Sequence, residues 1–222
     1  MYRKHKIRRK RIQLTKPVKP EKLLKYEAWR QGLKERISEL KGDGYKIIYL
    51  DESMFTTKTF RSAEYMVRKQ HLQIPMPSVS QRATALIMAI SEEDGAEHHG
   101  IYKDSVNQQK FAEYIDELYI ANKHTNIAVF MDNLSVHRTK SIQKQLDELD
   151  IPSIFSVPYS PDLNPVEHCF SKIKNHYKRK KLNMLMAGED FDVDSLIEGA
   201  VAQLKKSDIV NNVRLSLKLI NE

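Results

Sequence analysis

Two short apolar runs that each stop on an aspartate most constrain what this chain can become. Lys46-Ile47-Ile48-Tyr49-Leu50 leads into Asp51, and Ile127-Ala128-Val129-Phe130-Met131 leads into Asp132. Runs of this length, rich in β-branched and aromatic residues, read as strands. A third run, residues 83–90, is almost wholly apolar, as expected of a strand covered on both faces. A carboxylate at the mouth of such a strand is costly to bury without a partner. Two of them place negative charge beside a sheet.

The rest of the chain supplies the layers around these strands. Leu23, Leu24, Ala28, Trp29, Leu33, Ile37 and Leu40 recur at helical spacing from about Glu21 to Leu40, and Gly42-Asp43-Gly44 stops the helix. Trp29 reads most simply as its core anchor and not as a base-stacking platform. A strand is expected around Tyr65-Met66-Val67-Arg68, a helix from about Asn107 to Ala121, and another from about Thr139 to Leu149. A short strand at Ser153–Val157 precedes the proline-rich turn that ends on Glu167, and Glu167 opens a helix reaching about Lys178. The segment from Asp194 to Ile220 is helical by its spacing. The order β-β-β-α-β-α-β-α predicts an α/β fold: an antiparallel meander extended by parallel strands through crossovers, giving a mixed sheet flanked by helices. Ligands of such sheets gather at the carboxyl ends of parallel strands, where Asp51 and Asp132 are expected.

Charge divides the chain at its start. Residues 1–25 hold eleven Lys/Arg and one acid, and the remaining residues hold 26 basic and 28 acidic groups, so the net +8 resides in the N-terminal arm. Arg8, Arg9, Lys10 and Arg11 are its densest part, and such a block suits the phosphates of DNA or RNA. A solubilising tail or nuclear-import signal is the plainer reading of the same run. The single cysteine, Cys169, excludes an internal disulfide and a cysteine-rich zinc site. No apolar run approaches the ~20 residues of a membrane span, and no secretory leader is visible, so an intracellular protein is expected. The expected division is a basic arm and linker helix over 1–45 and an α/β domain with C-terminal helices over 46–222.

Asp51, Asp132 and Glu167 form a coherent chemical set. Carboxylates are hard oxygen ligands suited to Mg2+ or Mn2+. A pair of such ions about 4 Å apart activates a water or hydroxyl and stabilises the leaving oxygen of a phosphodiester. Glu52 points to the opposite strand face from Asp51 and is not counted a ligand. Asp162 is read as a turn former, and Asn133, His137 and His168 as neighbours that orient groups or simply pack. Beyond Glu167, Lys174 and Lys178 lie four apart on one helix face and offer a track for a DNA backbone, or simply a solvated face.

Three blocks carry a family resemblance: Asp51-Glu52-Ser53; Asp132-Asn133-Leu134-Ser135-Val136-His137; and Ser160-Pro161-Asp162-Leu163-Asn164-Pro165-Val166-Glu167-His168. Together they resemble the signature blocks of mariner-type DDE transposases, with 80 residues between the first two acids and 34 between the second and third. The resemblance covers about residues 46–178, and its third block is the most specific. It implies a ribonuclease H-like fold with a five-stranded sheet, and Asp51, Asp132 and Glu167 as a catalytic triad binding two Mg2+ or Mn2+ ions. It implies hydrolysis at transposon ends, then attack of the freed 3′-hydroxyl on target DNA. The implied partner is DNA, both ends and target, with a homodimer permitted, in the nucleus of a eukaryotic host or otherwise the cytoplasm.

The pattern departs from the family before residue 46, where full-length members carry paired helix-turn-helix domains. A truncated copy without sequence-specific end binding is the resulting expectation. Two competing readings remain: a catalytically idle nucleic-acid-binding protein derived from a transposase, and a ribonuclease H or structure-selective nuclease of the same fold.

Overall fold

A computed structural model describes residues 20–56, 59, 82–158 and 160–221. The basic residues Arg8–Arg11 and the strand expected at 65–68 lie outside the described residues.

The elements in chain order are α1 (Pro20–Gly42), β1 (Lys46–Phe55), β2 (Thr84–Ser91), β3 (Gly95–Lys103), α2 (Gln108–Ala121), β4 (Ile127–Met131), α3 (Lys140–Glu148), β5 (Ser153–Phe155), α4 (Pro165–Ala187), α5 (Val193–Val201) and α6 (Lys206–Asn221), with a 3-10 turn at Pro161–Leu163 before α4. The sheet runs β3-β2-β1-β4-β5. β1 pairs antiparallel with β2, and β2 with β3; β1 pairs parallel with β4, and β4 with β5. This is the mixed five-stranded sheet expected.

Alternation along the strands splits the apolar residues between two layers. Ile47 and Tyr49 of β1, Leu86 and Met88 of β2, and Phe130 of β4 face a core completed by α1, α4, α5 and α6. Ile48, Leu50, Ile87, Val129 and Met131 face the other, completed by α2 and α3. Each central strand therefore buries both faces, which is why its sequence is apolar without alternation. Among the described residues no helix is long and apolar enough to cross a membrane.

Several elements depart from the sequence expectation. β1 does not stop at Asp51: it continues to Phe55, because β2 offers partners for Glu52, Ser53, Met54 and Phe55. β3, which closes the described meander, was not anticipated; most of its residues are only half-buried at the sheet edge, and it carries two histidines in place of an apolar run. Ser91 and Gly95 flank its hairpin, Gly95 at φ +83°, a conformation that favours glycine. α4 runs nine residues past Lys178 and stops at Gly188 in the left-handed region. The helical C-terminal stretch is divided into α5 and α6 between Val201 and Lys206. Trp29 is 41% exposed rather than a core anchor; Leu33, Ile37 and Leu40 hold α1 in place.

Candidate active site

Three elements bring the expected acids to one cleft. The parallel ladder pairs Lys46 with Ile127 through Tyr49 with Phe130. Asp51 and Asp132 each lie two residues beyond the last of these pairs, so both acids leave the same end of the ladder between these neighbouring strands. Glu167 comes from the first turn of α4, where the helix dipole favours an acid. Asp51, Asp132 and Glu167 all line one cleft of about 420 Å³, together with Asn133, Ser156 and Asn164.

The approach of α4 is fixed by Asn164. Its Oδ1 accepts from Val166 N, capping the helix ahead of Pro165. Its Nδ2 donates to the carbonyl of Leu50 at 3.4 Å and to Asp51 Oδ2 at 3.3 Å. One buried amide thus tethers the start of α4 to β1.

Asp51 is almost fully buried, and its other oxygen accepts from the Glu52 backbone N–H at 2.7 Å. Burial pushes its carboxyl up to about 7; the Glu52 hydrogen bond and His137 oppose the rise, while the negative charges of Glu167 and Asp132 add to it. The carboxylates therefore repel one another across the cleft.

Asp132 is held from below. His137 Nδ1 lies 2.9 Å from Asp132 Oδ1, and its Nε2 lies 3.3 Å from Glu52 Oε1. The ring is fully buried and packs on Phe111, centroids 4.5 Å apart. Burial works against its charged form, but the hydrogen bonds and charges of Asp132 and Glu52 prevail and raise it to about 9. Asp132 Oδ1 also accepts from Leu134 N at 3.0 Å. Asn133 Nδ2 donates to the Ser156 carbonyl, holding the Asp132 loop against the chain after β5. Glu52 thus serves the opposite sheet face, as its strand position requires.

His137 does orient a carboxylate, one of the roles the sequence allowed it, and Asn133 hydrogen-bonds beside the site; Asn164 was not singled out from the sequence. An asparagine directly before Pro-x-Glu is a helix-cap signal that would have marked Asn164. Asp162 has an exposed side chain, and its carbonyl accepts from Ser216 Oγ of α6 at 3.2 Å. Lys174 and Lys178 are half-buried on the α4 face that carries Glu167. Lys174 Nζ sits 5.8 Å from the Phe55 ring centroid. Burial lowers its pKa, Glu167 and Asp51 counteract this, and Lys178 adds to it.

The donor set is three hard oxygen ligands whose mutual repulsion a cation would relieve, and this chemistry fits a divalent metal. Among the described residues no group of three or more His, Cys, Asp or Glu side chains is arranged to hold a metal ion.

A family described as DDE superfamily endonuclease matches residues 46–185. The chain belongs to that family, and its mixed five-stranded sheet is the fold it shares with the solved structures that follow. Among solved structures it is similar to the Mos1 strand transfer complex at 16% identity and a TM-score of 0.67, covering 99% of this chain and 66% of that one. The Mos1 mariner paired end complex with Mn gives 15% identity and a TM-score of 0.66, covering 97% and 65%. The catalytic domain of Mos1 mariner transposase gives 15% identity and a TM-score of 0.62, covering 94% and 95%. The chain thus spans slightly less than two thirds of the chains in the two complexes, and nearly the whole of the isolated catalytic domain. No curated protein matches it.

Proposed function

We propose that this chain is the catalytic domain of a mariner-type DNA transposase, cutting phosphodiester bonds at transposon ends and joining the freed 3′-hydroxyl to target DNA. The observation that carries the proposal is the meeting of Asp51, Asp132 and Glu167 in one cleft, from three elements far apart in sequence. In this reading Asp51, Asp132 and Glu167 would hold two Mg2+ or Mn2+ ions, which would supply activation of the attacking oxygen and stabilisation of the leaving one.

The protein's own residues do the rest. Asn164 donates to Asp51 and leaves that carboxylate no freedom to swing away from Glu167. His137, charged and buried, holds Asp132 by one oxygen. Lys174 and Lys178, on the Glu167 face of α4, receive the phosphates flanking the scissile bond. Arg8, Arg9, Lys10 and Arg11 add sequence-independent affinity from the arm.

The test is a nicking assay of the purified chain on duplex DNA with Mg2+ or Mn2+, beside Asp132→Asn. Cleavage that requires metal and disappears in the variant is expected, and equal cleavage by both proteins overturns the proposal. Binding with no cleavage at all leaves the idle DNA-binding reading, and preference for the RNA strand of a hybrid leaves the ribonuclease reading.

A further inference from the structure

A second groove, of about 470 Å³, runs beside the carboxylate cleft and shares Asn133, Ser156, Val157 and Pro158 with it. Its far wall is α1, which presents Trp29 and Arg36; Arg138 and Phe155 form the near side. Trp29 is 41% exposed, an unusual outlay of apolar area for the chain's only tryptophan. Cations surround the aromatic rings: Lys25 Nζ lies 4.7 Å from the Trp29 ring, and the exposed Arg138 guanidinium lies 5.0 Å from Phe155. Arg36 pairs with Glu39 at 2.6 Å, but both side chains are exposed, and such a pair yields readily to a phosphate.

We propose that this groove takes unpaired nucleotides of the same DNA strand whose scissile phosphate lies in the carboxylate cleft, with a base against Trp29 and phosphates at Arg36 and Arg138. This rests on the DNA-cleaving reading of the neighbouring site. Interleaved aromatics and cations along a groove are the chemistry of single-strand recognition. Bases inside a duplex are stacked on each other and offer an indole no open face, so the occupant is unpaired. The chain's own arm is excluded by sign, since residues 1–25 hold eleven Lys/Arg against one acid. The shared wall makes the two sites one continuous path.

The single tryptophan makes the test direct, because emission excited on the red edge, beyond tyrosine absorption, reports on Trp29 alone. The full chain, held in chelator so that no cleavage occurs, is titrated with a blunt duplex and with a forked duplex bearing about six unpaired nucleotides, within the span that single-strand sites cover. Binding is followed independently by anisotropy of a label on the DNA. Forked DNA is expected to quench Trp29 emission while blunt DNA leaves it unchanged. Trp29→Ala is expected to weaken forked binding about tenfold, the scale of one base–aromatic stack, and to leave blunt binding alone; Trp29→Phe restores most of it. Forked DNA that binds without altering the emission overturns the proposal, as does equal weakening of both DNAs by Trp29→Ala or failure of the chain to bind either. Emission that changes with protein concentration alone assigns the groove to a second copy and also overturns it. These readouts need no cleavage, so failure of the nicking assay and failure here are distinguishable.

Discussion

Asp51 is where folding and chemistry pull in opposite directions. Its carboxyl is raised from 3.8 to about 7, chiefly by burial. An acid raised in the folded state binds its proton more tightly there than when unfolded, so stability falls as pH climbs from about 4 to 7 and the full penalty persists above that. Asp51→Asn is therefore expected to stabilise the metal-free protein by a few kcal/mol near pH 8, and hardly at all near pH 4, while abolishing cleavage. Thermal melts in chelator at the two pH values check the first part. His137 has the reverse sign. Raised to about 9, its contribution is complete below its ordinary 6.5 and is lost as pH rises through about 9. Proton NMR of the ring should show a midpoint near 9 that drops in Asp132→Asn, since Asp132 supplies the closest contact. At this scale the place of Asp51 and Asp132 in one cleft was legible because charge beside an apolar run is conspicuous, and that of Glu167 because of the proline-rich block before it. Asn164 was not singled out: its position before Pro165 signals a helix cap, but nothing in the sequence discloses its second set of bonds, to β1.

Among the elements, the strand carrying Asp51 and the helix carrying Glu167 matter most, and one side chain joins them. Asn164→Ala removes the cap of α4 and the donor to Asp51 together. The expected cost is about 1–2 kcal/mol in a denaturant melt, with a fall in cleavage. Asn164→Asp keeps the cap but sets a second negative charge beside Asp51, so it should regain stability below about pH 5 and not regain activity. Equal activity in all three proteins would remove Asn164 from the site. The apolar strands and the amphipathic helices were readable from periodicity. β3 was hidden because an edge strand half-open to solvent carries Glu97, His98 and His99 where a central strand carries Leu or Ile. The end of β1 was misplaced for a related reason: Asp51 interrupts the apolar run, yet β2 continues to supply partners beyond it.

For the whole molecule, the separation of charge is the main lever. Residues 1–25 hold the basic excess, and the rest of the chain is nearly neutral. Deleting residues 1–20 should flatten the dependence of DNA affinity on salt, by about 0.9 in the log–log slope for each phosphate the arm neutralises. An unchanged slope measured by anisotropy would take the arm out of DNA binding. The mixed character of the sheet follows from the succession of strands and helices, although β3 itself was hidden, whereas the exposure of Trp29 does not, because helical spacing places a residue on a face without saying how far the neighbouring layer reaches. The amide of Asn164 fastens α4 to Leu50 and Asp51 across more than a hundred positions of chain. Distances within the pocket are thus insulated from the contour of what lies between, and the exposed turn at Lys123-His124 is free to lengthen. Extra residues there would enlarge the outline of the enzyme and leave its acids where they are.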